Sequence, residues 1–262
     1  MKAGNTDRVL VTGASSGIGL AIAHEFARRG HPLLLVARRE DKLRSESRGL
    51  VDAYGVDVRI LAADLSAPDA PRTVFDFARL LEPSVTVLVN NAGFAAYGPF
   101  SESDPDREVN MVRLNVEALL HLTRLFLPGF LERDRGGVLN VASTAAFQPG
   151  PYMATYFATK AFVLTFSEAL ADETRGSSIT VSVLCPGPTP TEFQERAAVQ
   201  QSRLLNLGRL DADTVALAAV RGFLRGKRVV IPGMFNRIGA FAPRLVPRSL
   251  ATAIVRRLQT PR

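Results

Sequence analysis

Short aliphatic and β-branched runs alternate with longer stretches in which apolar residues recur every three or four positions along most of the chain. The runs fall at residues 8–12, 33–37, 57–62, 85–90, 138–143, 180–185 and 229–231, and most are apolar without a break. Unbroken apolar runs are what strands need when helices cover both faces of their sheet. The longer stretches predict helices over 17–29, 41–54, 69–81, 106–130, 152–175 and 211–225. Regular strand–helix alternation requires parallel strands joined by right-handed crossovers. The pattern therefore predicts an α/β fold, a doubly wound parallel sheet of about seven strands with helices on both faces. No repeat or linker divides residues 1–262, so a single domain is expected.

Composition narrows the chemistry. Hydrophobic residues at 47% and charged residues at 22% exclude a disordered chain, and 262 residues can bury a core without staples. The single cysteine, Cys185, excludes an internal disulfide and a multi-cysteine zinc site. His24, His31 and His121 show no ligand spacing, so no metal is expected. Residues 1–7 lack an apolar signal core and no run approaches bilayer-spanning length, which predicts a cytoplasmic location. The net charge of +7 is unevenly spread: residues 196–262 carry 13 Lys/Arg against only Asp211 and Asp213. The basic character belongs to the C-terminal quarter. No nucleic-acid recognition motif accompanies it, so nucleic acid is not the expected partner.

The first strand candidate runs into Thr12-Gly13-Ala14-Ser15-Ser16-Gly17-Ile18-Gly19 and then a helix. Glycine at 13 permits a tight turn, at 17 it lets backbone approach a pyrophosphate, and at 19 it allows close helix–strand packing. The helix N-terminus then offers unpaired N–H groups and a positive dipole end to phosphates.

The G-x-x-x-G-x-G spacing, with Asp64-Leu65, Asn90-Asn91-Ala92-Gly93, Asn115, Ser143, Tyr156-x-x-x-Lys160 and Pro186-Gly187 following in order, resembles the short-chain dehydrogenase/reductase family over residues 8–193. The resemblance implies a Rossmann-type fold and a catalytic tetrad of Asn115, Ser143, Tyr156 and Lys160. It implies cofactor contacts from Gly13, Ser15, Ser16, Gly17, Ile18, Gly19, Asp64, Leu65, Asn90, Ala92 and Gly93. Tyr156, Lys160, Pro186, Gly187, Thr189 and Thr191 are implied at the nicotinamide end. Tyr156 and Lys160 are four apart and share one helical face. A phenol with a pKa near ~10 needs a neighbouring cation to exchange protons at neutral pH, and Lys160 is that cation. Ser143 closes a predicted strand, where its hydroxyl can donate to an oxygen gaining charge. Asn115 carries, by resemblance, a helix-bending and proton-relay role.

Arg38 and Arg39 follow the second strand candidate, where an acidic side chain would bind the ribose hydroxyls of NAD. Guanidinium forks suit a 2′-phosphate instead, so NADP(H) is the expected cofactor. Glu40 and Asp41 read as the first turn of the next helix.

Phe94, Tyr97, Phe147, Pro149, Pro151, Met153, Phe157 and Phe193 surround the motifs. Such a lining selects a hydrophobic carbonyl compound or its secondary alcohol, with lipophilic ketones and 3-oxoacyl thioesters both open. A cofactor-binding scaffold without turnover is the alternative. The family resemblance implies a homodimer or homotetramer through the helices at 106–130 and 152–175. The tail interleaves Ile238, Phe241, Leu245, Leu250 and Ile254 with Arg237, Arg244, Arg248, Arg256 and Arg257. Pro243 and Pro247 interrupt it, leaving a short helix from Ser249. The favoured reading is an oligomer or subdomain contact. A weak peripheral contact with anionic lipid, or with an acyl carrier or coenzyme A thioester, is the alternative.

Overall fold

A computed structural model describes residues 7–193 and 208–260. Among them, seven parallel strands form one sheet in the order β3-β2-β1-β4-β5-β6-β7. They are β1 (Arg8–Thr12), β2 (Leu33–Ala37), β3 (Val58–Ala62), β4 (Val85–Asn90), β5 (Gly136–Val141), β6 (Ile179–Leu184) and β7 (Val229–Val230). The helices are α1 (Gly17–Ala27), α2 (Glu40–Tyr54), α3 (Ala70–Ala78), α4 (Pro105–Val112), α5 (Ala118–Glu132), α6 (Ala154–Glu173), α7 (Ala212–Leu224), α8 (Met234–Phe241) and α9 (Arg248–Gln259).

Side chains of successive strand residues go to opposite faces, and both faces are buried. On one, Val9, Val11, Leu33 and Leu35 pack with Ile22 and Phe26 of α1 and Val215 and Phe223 of α7. On the other, Leu10, Leu34, Leu88 and Val138 pack with Leu122, Phe126 and Phe130 of α5 and Leu170 of α6. This two-sided cover is why the strands read as unbroken apolar runs.

Two differences from the sequence pattern bear on the site. The stretch expected as one helix over 106–130 contains a π-helical turn, Arg113–Glu117, between α4 and α5, in which the Ala118 N–H reaches the Arg113 carbonyl. The fifth strand spans Gly136–Val141 rather than 138–143, because Ser143 caps a short 3-10 turn, Thr144–Phe147. The tail folds into α8, a 3-10 turn at Ala242–Leu245 and α9 from Arg248, broken at the two prolines. No helix among the described residues is long and apolar enough to cross a membrane.

Arg8 stitches the N-terminal edge of the sheet. Fully buried, it donates to the carbonyls of Leu33 at 2.9 Å, Pro83 at 2.9 Å and Glu82 at 3.0 Å, and pairs with Asp57 at 2.6 Å. One guanidinium thereby satisfies carbonyls from two strand junctions beside β1. Arg8→Ala removes that donor from the three carbonyls, while Asp57 keeps Arg59 at 3.1 Å, and the protein should lose about 1–3 kcal/mol of stability in a urea denaturation series. A loss under about 1 kcal/mol would show that the network contributes little.

Candidate active site

A cleft of about 610 Å3 opens at the carboxyl edge of the sheet, where strand order reverses between β1 and β4 and open α/β sheets take their ligands. The glycine loop forms its floor. Gly13 sits at φ +64°, and a Cβ on it would lie 2.8 Å from the Asn91 amide nitrogen and 2.9 Å from the Ala92 Cα. A Cβ on Gly19 would fall 2.5 Å from the Gly13 carbonyl oxygen, so the helix start presses directly on the loop. Thr12 joins that loop to the one after β4. Its hydroxyl accepts the N–H of Asn91 at 2.9 Å and of Ala92 at 3.0 Å, and donates to the Val89 carbonyl at 3.2 Å. Asn91 returns the tie, donating to the Thr12 carbonyl at 2.9 Å. Sequence reasoning left Asn91 out of the contact set, although it stands in the cleft wall.

Gly13, Ser15, Ser16, Gly17, Ile18, Arg38, Arg39, Asp64, Leu65, Ala92 and Gly93 line the cleft on this side. No side chain caps the first turn of α1 at Ser16, so its N–H groups face the cleft as an anion site. Of the two arginines, Arg39 is the one aimed at the loop: its Nη2 lies 3.3 Å from both the Ser15 and the Ser16 hydroxyl oxygens. Arg38 is more exposed and stands 3.9 Å from the Asp64 carboxylate. Burial works against ionisation of Asp64, but the Ser66 hydroxyl and N–H, with Arg38, hold its carboxyl below the usual range. Uncapped N–H groups, two serines and an arginine beside a glycine cradle fit a dinucleotide carrying phosphates.

Three expected site residues lie behind the wall. Gly19 packs on the loop itself. Asn90 is buried, and its amide donates to Thr123 at 3.0 Å and Asn140 at 2.9 Å, because its strand position points it into the α5 and α6 layer; any cofactor contact it makes is through its backbone. Asn115, buried on the π-helical turn, grips the backbone of Phe94 from both sides. It accepts the Phe94 N–H at 3.0 Å and donates to the Phe94 carbonyl at 3.0 Å and to the Thr159 hydroxyl at 3.1 Å.

Ser143, Tyr156 and Lys160 meet in the cleft. Ser143 lies beyond the end of β5, with its hydroxyl oxygen accepting the Ala145 N–H at 3.1 Å. Its O–H is directed to the Tyr156 side of the cleft, where it can donate. Tyr156 and Lys160 are both buried on α6. The Lys160 ammonium donates to the Val141 carbonyl at 2.9 Å and stands 5.8 Å from the Tyr156 ring centre. Burial pushes the Tyr156 phenol up to about 12, against a lowering hydrogen bond from Ser143. Burial also pushes Lys160 down to about 8. In the protein alone burial governs the phenol, so the lowering expected from Lys160 does not dominate. Cys185 is buried with its thiol pushed up to about 12, chiefly by burial, which makes it a packing residue rather than a nucleophile.

Pro186, Gly187, Thr189 and Thr191 form the opposite wall. The Thr189 hydroxyl donates to the Gly187 carbonyl at 3.2 Å and Thr191 to the Thr189 carbonyl at 3.4 Å. Beyond Tyr156 the cleft becomes apolar, lined by Phe94, Met153, Phe157 and Phe193. Tyr97 packs with that group. Phe147, Pro149 and Pro151 instead line an adjoining hollow of about 550 Å3. Sequence reasoning missed the far wall, which Val246, Ala251, Ile254, Val255 and Leu258 supply. Gln259 fastens α9 there, donating to the Met153 sulfur at 3.6 Å and accepting the Tyr97 hydroxyl through its carbonyl. Gln148 was also missed; it lines both spaces, and its buried Oε1 has no partner in the structure. Among the described residues no group of three His, Cys, Asp or Glu side chains could hold a metal ion.

The family model for short chain dehydrogenase matches residues 7–202, and the chain belongs to the short-chain dehydrogenase family. A very-long-chain 3-oxoacyl-CoA reductase from Mus musculus is 32% identical over 242 residues, covering 90% of this chain and 75% of that protein. A short-chain dehydrogenase from Sphingobium yanoikuyae, solved in complex with NADPH, is 36% identical with a TM-score of 0.83, over 94% of this chain and 95% of that one. A bulky-bulky ketone specific alcohol dehydrogenase from Comamonas testosteroni is 31% identical with a TM-score of 0.77, over 92% of this chain and 94% of that one.

Proposed function

We propose that this protein is an NADP(H)-dependent reductase of lipophilic ketones or 3-oxoacyl thioesters. The observation that carries the reading is the joint burial of Tyr156 and Lys160 beside Ser143, at the junction of a cleft floored by the glycine loop and an apolar pocket. A bound nicotinamide supplies the hydride. Ser143 donates its O–H to the carbonyl oxygen as charge grows there, and Tyr156, held protonated by its surroundings, gives that oxygen its proton. Lys160 keeps a positive charge beneath the phenol, so the phenolate left behind has a counter-cation. Asn115 acts through position, fixing Phe94 and with it the loop that carries Gly93. Arg39, with Ser15 and Ser16, supports the 2′-phosphate preference, and Arg38 lies further out. Gln148 offers an acceptor to a polar substituent of the substrate.

The relatives support this reading through what they act on: one is a very-long-chain 3-oxoacyl-CoA reductase and one a ketone-specific alcohol dehydrogenase, and the NADPH complex agrees with the arginine at the loop. The tail fits the subdomain reading, since the inner side of α9 walls the pocket while Arg244, Arg248, Arg256 and Arg257 stay exposed. Those arginines stand where the phosphates of an acyl carrier or coenzyme A thioester could meet them. A homodimer or homotetramer belongs to the same reading, with exposed Val109, Val112, Leu120 and Phe162 on α4, α5 and α6 as the apolar contact.

Tyr156→Phe keeps the ring and removes the proton. NADPH-dependent reduction of a lipophilic ketone should fall about 10²-fold or more, while NADPH affinity, read by cofactor fluorescence, stays within about two-fold of wild type. Retained turnover would remove Tyr156 from the chemistry, and absence of turnover in the wild type would favour the scaffold. In the free protein Lys160 is charged below about 8 and Tyr156 is protonated up to about 12. The kcat/KM for reduction should therefore hold at neutral pH and decline as pH rises through about 8, with the loss of the Lys160 charge. A profile flat to pH ~10 would contradict that assignment.

A further inference from the structure

Thr191 crosses the glycine loop: its methyl lies 3.1 Å from where a Cβ on Gly17 would stand. The next residue, Glu192, reaches over the phosphate side of the cleft. Its Oε2 accepts from the Nη2 of Arg39 at 2.9 Å and its Oε1 from Lys42 at 2.5 Å. The same Arg39 nitrogen faces the Ser15 and Ser16 hydroxyls. A carboxylate with one oxygen on each of two cations presents the charge pattern of a phosphate, at the spot where the proposed 2′-phosphate has its donors.

We propose that Glu192 is an internal anion seated in the 2′-phosphate subsite, which a 2′-phosphate must displace from Arg39 in order to bind. The proposal rests on the NADP(H) reading of the cleft. Two anions on one guanidinium repel each other, whereas a cofactor without the 2′-phosphate leaves the pair undisturbed. Glu192 therefore narrows the margin by which the site prefers NADP(H) over NAD(H). The Lys42 hydrogen bond, with help from Arg39, holds the Glu192 carboxyl at about 2, so the competitor stays charged at any working pH. Displacement also frees the start of the segment that carries Phe193 into the substrate pocket, where its ring stands 5.7 Å from that of Tyr156. Filling the phosphate subsite is thereby linked to the wall that faces substrate.

The test is calorimetric titration of the full chain with 2′,5′-ADP and with 5′-AMP, which differ only in the 2′-phosphate and require no turnover. The wild type should bind 2′,5′-ADP more tightly. Glu192→Gln and Glu192→Ala should each tighten 2′,5′-ADP by about five-fold, the scale of a partly exposed ion pair, and leave 5′-AMP within about two-fold. If the wild type prefers 2′,5′-ADP and neither variant tightens it, Glu192 does not compete and the proposal falls while the NADP(H) reading stands. If neither the wild type nor the variants distinguish the two ligands, the NADP(H) reading fails and takes the proposal with it.

Discussion

A buried ammonium group dictates much of the site. Lys160 sits inside the protein with the Val141 carbonyl as hydrogen-bond acceptor, and a cation in that position is tolerated only when its surroundings are arranged around it. The bond ties the end of β5 to the face of α6 that carries Tyr156. Beside it the space is tight for another reason: a Cβ on Gly93 would approach the Asn115 side-chain oxygen to 2.8 Å. Asn115 in turn holds Phe94 from a π-helical turn, a local departure from regular helix of the kind often found at functional sites. Lys160 thus fixes a strand terminus beneath the phenol, while Asn115 accounts for the glycine at 93 and the placing of Phe94.

The other end of the cleft depends on Thr12. By pairing with the loop after β4, it sets the distance between the glycine loop and the wall that carries Gly93. The segment 186–193 spans the two ends. Thr189 lies deep in the wall, Thr191 passes over Gly17, Glu192 reaches the cations at the phosphate side, and Phe193 turns back toward Tyr156. The cations beside the glycine loop and the apolar pocket at Tyr156 are therefore joined by one short stretch of chain, a physical route between the two ends.

The sheet was legible because both its faces are covered, so each strand appears as an apolar run with little ambiguity of type. The glycine loop and the Tyr156–Lys160 spacing were legible for a related reason: their chemistry is local, held within one turn or one helical step. What stayed hidden depends on register or on distance along the chain. A π-helical turn shifts the helix by one residue, which apolar periodicity does not reveal. Ser143 read as a strand end, although its hydroxyl caps the turn beyond. Asn90 matched a loop motif, yet its strand position aims it at Thr123 and Asn140. Arg38 and Arg39 are neighbours with the same chemistry, and only the backbone entering α2 decides which faces Ser15. The Lys42–Glu192 pair joins residues 150 apart in sequence, and the use of α9 as a pocket wall is likewise a tertiary outcome.

The proposed reaction is hydride transfer in this cleft to a lipophilic carbonyl. The most direct measurement is a single turnover: protein loaded with NADPH, in excess over the cofactor, is mixed with a panel of lipophilic ketones and 3-oxoacyl thioesters while the fluorescence of the reduced nicotinamide is followed. The expected result is complete decay of the signal with at least one member of the panel, and formation of the corresponding alcohol in equal amount. A signal that stays constant across the whole panel, from protein shown to have bound the cofactor, would contradict it.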